Sequence, residues 1–239
     1  MDARGSHDSS HLVSGGGNRI VYLWDVTSKH PVKMLRGHSG QVNCVCFNQE
    51  SSMIASGSLD GSVRLWDTKS NSRDSVQILA DAKDSITSLC ISDHEIITSS
   101  LDSKVRRYDL RRGLLDVDDV GASVTHVSLS KDGQCLLTAC LHSPVKLLDK
   151  DTGEILNFYA GHAHKKYKLE AYFVKNDSHV ICGSEDSNLY FWDLIKGTVK
   201  TTVAHEGHRV VHSLNVHPSQ NEILTAAEGT VYLWTTEEE

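Results

Sequence analysis

The sequence predicts an all-β propeller built from repeated four-stranded blades, and three observations carry that prediction. An aromatic residue or Leu followed by Asp recurs at Trp24-Asp25, Trp66-Asp67, Tyr108-Asp109, Leu148-Asp149 and Trp192-Asp193, and the last member is Trp234-Thr235. The interval is about 40–45 residues, the length of one propeller blade. Ahead of each aromatic stands a turn residue, in order Asn18, Asp60, Asp102, His142, Asp186 and Glu228, while Gly-His pairs open units at Gly37-His38, Gly161-His162 and Gly207-His208. Between these marks lie short β-rich runs and polar turns, with no helical periodicity.

Taken in order, the units end near Trp24, Trp66, Tyr108, Leu148, Trp192 and Trp234 and form one domain over residues 1–239. The first reads as partial, because the chain begins inside or after that unit's innermost strand; its run Ser14-Gly15-Gly16-Gly17-Asn18 aligns with the tight turns elsewhere, where glycine supplies positive φ. The second is the most regular, with strands such as Gln41–Phe47 and Gly61–Asp67. In the third, Asp81 or Ala82 stands where Gly-His is expected; in the fourth, Leu148 replaces the aromatic, His142 the turn acid, and Pro144 enters the strand. The fifth carries the apolar run Val180-Ile181-Cys182, as expected where both faces of a blade are covered. In the sixth only Thr235-Thr236-Glu237-Glu238-Glu239 follows Trp234, too short and acidic for an outer strand. The expectation is therefore five full blades plus one partial N-terminal blade, in a truncated form lacking about one to two blades and poorly soluble or oligomeric when expressed alone.

Composition narrows the function. The 239 residues are 39% hydrophobic and 23% charged, with 24 Lys+Arg against 31 Asp+Glu and a net charge of -7. That sign disfavours direct nucleic-acid binding. No apolar run is long enough to span a membrane and Met1–Asp8 has no signal-peptide core, so the chain reads as cytoplasmic or nuclear with no membrane partner. Cys44, Cys46, Cys90, Cys135, Cys140 and Cys182 lie within apolar runs and read as reduced, buried thiols.

His38, Ser56 and Asp60 are the residue types of a nucleophilic triad, yet their register recurs: Thr98, Asp102 and Tyr108 follow one period later, then His162, Cys182, Asp186 and Trp192. A catalytic set is needed once. The repeated set therefore reads as a structural hydrogen-bond chain, in which the turn carboxylate orients the His and the His reaches the strand hydroxyl near Trp66. The glycine run lacks the Gly-Lys-Ser/Thr of a phosphate loop, and His205-Glu206-Gly207-His208 with His212 lies between predicted strands rather than on a helical metal-binding face. No catalytic residue, cofactor or metal is expected. Two basic clusters remain as candidate partner-binding sites, against a reading as solvated charge: Lys104, Arg106, Arg107, Arg111 and Arg112 around Tyr108, and His164-Lys165-Lys166-Tyr167-Lys168 in a loop after Gly161-His162.

The Gly-His to Trp-Asp periodicity resembles the WD40 family over nearly the whole chain. The segments Val105-Arg106-Arg107-Tyr108-Asp109-Leu110-Arg111, Leu148-Asp149-Lys150-Asp151-Thr152-Gly153-Glu154 and Lys166-Tyr167-Lys168-Leu169 are similar to the mitogen-activated protein kinase organiser subfamily. The resemblance implies a non-enzymatic scaffold for MAP-kinase cascade components, with spliceosomal proteins or an oxygen-sensing prolyl hydroxylase as further partners. Tyr108-Asp109-Leu110-Arg111 also resembles the motif by which some WD40 proteins dock on cullin-linked adaptors, which leaves a ubiquitin-ligase adaptor as an alternative. A third reading is a component of mRNA-processing particles.

Overall fold

The computed structural model describes residues 2–92, 94–174, 176–205, 210–217, 222–227 and 229–235. Glu206, the Gly207-His208 pair, the turn residue Glu228 and the tail after Thr235 lie outside the described residues. Among the described residues every regular element is a strand, and the chain divides into two compact units, residues 1–124 and 125–239.

Unit one holds three antiparallel four-stranded sheets, each paired in chain order. The first comprises β1 (Asp2–Gly5), β2 (His11–Gly15), β3 (Ile20–Asp25) and β4 (His30–Arg36). The second comprises β5 (Val42–Phe47), β6 (Met53–Ser58), β7 (Val63–Asp67) and β8 (Gln77–Leu79), and the third β9 (Ile86–Ile91), β10 (Glu95–Ser100), β11 (Lys104–Asp109) and β12 (Leu114–Asp119). Unit two follows the same plan with β13 (Val124–Leu129), β14 (Cys135–Cys140), β15 (Val145–Asp149) and β16 (Ile155–Tyr159), then β17 (Ala171–Val174), β18 (His179–Gly183), β19 (Asn188–Asp193) and β20 (Val199–Ala204). Its last sheet has three strands among the described residues, β21 (Ser213–Val216), β22 (Glu222–Ala227) and β23 (Thr230–Thr235).

Among the described residues there are thus six blade sheets, and the expectation of a partial first blade is corrected. Asp2–Gly5 is the opening strand, paired Asp2↔Gly15 through Gly5↔Leu12. Asp-Ala-Arg-Gly carries no strand pattern of its own; the backbone ladder makes the strand, and Asp2 Oδ2 accepts the Val45 amide of the next sheet at 3.1 Å. The glycine-run expectation also changes. Positive φ in that turn falls on Arg19 (65°), and the same place in later turns is Gly61 (76°), Ser103 (68°), Ser187 (70°) and Gly229 (87°). Gly15 serves packing instead: a Cβ there would lie 2.4 Å from Val42 Cγ1.

Trp66, Tyr108 and Trp192 are buried towards the preceding blade, and Trp234 is partly buried in the same direction. Trp66 packs with Val13, Val21 and Leu35 of the first sheet, and Tyr108 with Val63, Leu65 and Leu79 of the second. In unit two Trp192 packs with Leu137, Leu147 and Tyr159, and Trp234 against Ile181 and Leu189. A sheet covered on both faces needs apolar residues at consecutive positions, which is why runs such as Ile54-Ala55 and Val180-Ile181-Cys182 are fully buried. The six cysteines are free thiols, with Cys44, Cys140 and Cys182 buried and the other three partly so.

Candidate functional site

The polar set of the second blade forms one continuous chain. His38 Nδ1 lies 3.0 Å from Asp60 Oδ2, His38 Nε2 lies 2.8 Å from Ser56 Oγ, and Trp66 Nε1–H donates to the same oxygen at 2.8 Å. Burial lowers the His38 pKa, opposed by the Asp60 hydrogen bond and charge. The neutral ring donates from Nδ1 to the carboxylate and accepts from the Ser56 hydroxyl at Nε2. Burial pushes Asp60 up, but hydrogen bonds from Ser62 and the Ser39 amide outweigh it and hold the carboxyl far below the usual range. The order Asp-His-Ser is that of a hydrolytic triad, yet Ser56 is 0% exposed, and its Oγ is shared between His38 and the Trp66 indole. A substrate carbonyl has no approach to it.

The other blades vary this chain. In the third, Asp102 binds Arg106 through both guanidinium nitrogens at 3.1 and 2.7 Å and accepts the Lys83 amide at 2.9 Å, while Asp81, in the place of Gly-His, interacts with the Tyr108 hydroxyl. Thr98 is buried, with its Oγ1 a marginal 3.5 Å from the Arg106 carbonyl. In the fifth, Asp186 accepts the Tyr190 hydroxyl at 2.7 Å, the Trp192 indole donates to the Ala160 carbonyl at 2.9 Å, and both His162 ring nitrogens are buried without a hydrogen-bond partner. The sequence placed His162 in a polar chain; it stands edge-on to Trp192 with ring centroids 5.6 Å apart, as His38 stands to Trp66 at 6.3 Å, but Cys182 offers no hydroxyl to close the chain. In the sixth, His205 Nε2 lies 3.1 Å from Thr225 Oγ1, which also accepts the Trp234 indole at 2.8 Å.

The basic clusters separate on burial. Arg107 is 7% exposed, with Nε 3.4 Å from Asp118 Oδ2, so it faces inward rather than towards a partner. Its alternation with Arg106 sends each to its own acid, and burial raises Asp118 against the pull of Arg107. Lys104 lies 3.6 Å from Asp119. Arg111 is exposed, and its amide together with that of Arg112 caps the Asp109 carboxylate at 2.8 and 2.9 Å. The second cluster forms a surface. The amides of Lys165, Lys166 and Tyr167 all donate to Glu185 Oε1, at 2.8, 2.6 and 3.0 Å, and these bonds lower the Glu185 pKa against its burial. His164 anchors the loop from inside, 3% exposed, its Nε2 2.9 Å from the Tyr167 carbonyl. Lys165, Lys166 and Tyr167 are exposed, with the Lys166 ammonium 5.3 Å from the Tyr167 ring centre. Glu185 escaped the sequence reading; its place next to a turn acid was the only available signal.

These repeats match known proteins directly. The profile described as WD domain, G-beta repeat matches residues 1–25, 29–67, 153–193 and 197–235. The chain belongs to the WD40 family. Rat WD repeat domain-containing protein 83 is 48% identical over 169 residues, which is 71% of this chain and 53% of that protein. The WD repeat domain-containing protein 83 homolog of Dictyostelium discoideum is 31% identical over 99% of this chain and 82% of its own length. An uncharacterized WD repeat-containing protein of Schizosaccharomyces pombe is 38% identical over 70% of this chain and 56% of its own. The chain spans about half the length of the rat and yeast relatives it matches. The family profile does not extend over the third and fourth units of this WD40 chain, the two in which Tyr108 and Leu148 replace the motif tryptophan.

Proposed function

We propose that this WD40 chain is a non-enzymatic scaffold, and that the exposed Lys165-Lys166-Tyr167 surface of its fifth blade binds an acidic segment of a protein partner. The observation that carries this reading is the triple amide clamp on Glu185, which holds the loop backbone in one conformation and leaves two ammonium groups and a phenol facing solvent. A preordered cationic loop loses less entropy on binding and steers an acidic partner by charge. The sealed Ser56 hydroxyl favours a scaffold over a hydrolase. The partners proposed are MAP-kinase cascade components in the cytoplasm or nucleus, on the strength of the subfamily resemblance in Val105–Arg111 and Lys166–Leu169.

A second reading, the cullin-adaptor role, is favoured by the exposure of Arg111 beside the capped Asp109. Affinity purification separates the two. The double change Lys165→Glu, Lys166→Glu is expected to deplete kinase-cascade partners about tenfold or more and to weaken the salt dependence of association, with the melting temperature unchanged. Loss of cullin-adaptor recovery in Arg111→Ala, with kinase partners untouched by the lysine changes, overturns the scaffold reading.

A further inference from the structure

Neighbouring blades pack in one register. A trio of apolar residues, one from the second strand of a sheet and two from the third, meets an aliphatic residue and the motif aromatic of the following sheet. Val13, Val21 and Leu23 pack with Ile54 and Trp66, and Ala55, Val63 and Leu65 pack with Ile96 and Tyr108. In unit two Leu137, Val145 and Leu147 pack with Val180 and Trp192, while Ile181, Leu189 and Phe191 pack with Ile223 and Trp234. In the sixth sheet the same trio is Leu224, Val231 and Leu233, and these residues are 46%, 67% and 58% exposed. In the first sheet the aliphatic and aromatic pair is Leu12 and Trp24. Leu12 is 37% exposed, whereas its counterparts Ile54, Ile96, Leu136 and Val180 are fully buried, and Trp24 is only partly buried. We propose that the chain self-associates head to tail, with the Leu12–Trp24 face of one copy seated on the Leu224, Val231 and Leu233 face of a second copy.

The two faces are the unmatched halves of one packing unit, and this chain carries one of each; that is why a second copy is the fitting occupant. Leu224 stands directly opposite Leu233, and Val231 opposite Ala226, so strand alternation puts the trio on one side of the sheet. That side faces away from the fifth blade, against which Ile223 and Trp234 are packed. On the first sheet Leu12 stands opposite Trp24 and Tyr22 opposite Met34, and Met34 is also exposed. This face is ordered for the contact. The Trp24 indole donates to Ser14 Oγ at 2.8 Å, as Trp66 donates to Ser56, and Tyr22 lies against it with ring centroids 5.6 Å apart. Its one polar atom is thereby satisfied, and what is left for a neighbour to cover is apolar ring surface. Contiguous exposed apolar patches of this kind mark association surfaces. Because the two faces differ, the contact is heterologous, and each copy offers one face of each kind to its neighbours. The inference does not rest on the Lys165–Tyr167 surface.

The test is sedimentation velocity of the full chain from about 1 to 100 μM, where the weight-average mass should rise with concentration. Leu12→Glu and Leu233→Glu should each shift association about tenfold or more to higher concentration, with Val231→Glu as a second probe of the sixth face. All three side chains are exposed or half-exposed, and a retained cooperative melt verifies each fold. Leu12→Glu and Leu233→Glu mixed in equal amounts should recover a heterodimer, because each supplies the face that the other has lost. Ile195→Glu, at an apolar residue 88% exposed elsewhere on the fifth blade, should leave association unchanged. A monomer at every concentration, the result if the chain itself or another protein covers these faces, overturns the inference. So does association that persists in either face variant alone, that is lost in Ile195→Glu, or that mixing fails to restore.

Discussion

The second and fifth blades carry the same polar register and use it differently. In the second, Asp60, His38, Ser56 and Trp66 join in one buried chain, so the histidine is a strut between loop and sheet. In the fifth, Asp186 turns to Tyr190, Trp192 turns to the Ala160 carbonyl, and His162 keeps its place beside the indole with both nitrogens unpaired. Two replacements separate the cases: Cys182 stands where Ser56 supplies a hydroxyl, with its Sγ 3.1 Å from the Gly183 carbonyl, and Tyr190 stands where the second blade has Arg64 and takes the turn acid. A thiol is a weak donor and acceptor, so it cannot bridge imidazole and indole as an oxygen does.

The largest test of this comparison is Ser56→Ala, which leaves the His38 Nε2 and the Trp66 indole unpaired in the interior. Denaturant melts should show a loss of about 3 kcal/mol; a loss under about 0.5 kcal/mol would mean that the chain does not hold the blade. Asp60→Ala removes the far end of the chain, where relaxation and solvent are closer, and is expected to cost about 2 kcal/mol by the same measurement.

Acidification sharpens the contrast without mutation. His38, His162 and His164 all have folded pKa values below the ordinary 6.5, chiefly through burial, so the unfolded chain binds protons more readily and stability falls as the pH drops through 6.5 towards the folded values. His162, at about 4, should contribute roughly 1 kcal/mol of loss at pH 5.5, with a smaller share from His38, where Asp60 pushes back. Melts of His162→Gln from pH 7.5 to 5.5 should lose that share of the slope; an unchanged slope would place the proton uptake elsewhere. The smallest expected effect is a gain. Cys182→Ser returns the hydroxyl and should stabilise the fifth blade by about 1 kcal/mol, read by thermal melts. Loss of stability in this variant would show that His162 is held away from position 182.

The sequence alone determined the repeat and its period by its Trp-Asp spacing, the burial of both sheet faces by its paired apolar runs, and the residues of the second-blade chain, Asp60, His38, Ser56 and Trp66, but not that the first blade is a full sheet. All of these are local or strictly periodic signals, and a period needs no tertiary information. The tertiary structure decided the rest. Asp2–Gly5 is a strand because β2 offers it a ladder, although its side chains carry no β pattern. His205 bonds Thr225, a partner twenty residues away that no motif marks in the sequence. Arg107 is buried against Asp118 because strand alternation and the neighbouring β12 enclose it, while the sequence offered only a basic cluster. The free nitrogens of His162 were likewise invisible in the motif, since Gly161-His162 is spelled like Gly37-His38. Whether a buried polar atom is satisfied depends on the distance and angle to a second atom many residues away, and a repeat pattern fixes which residues occur but not those distances.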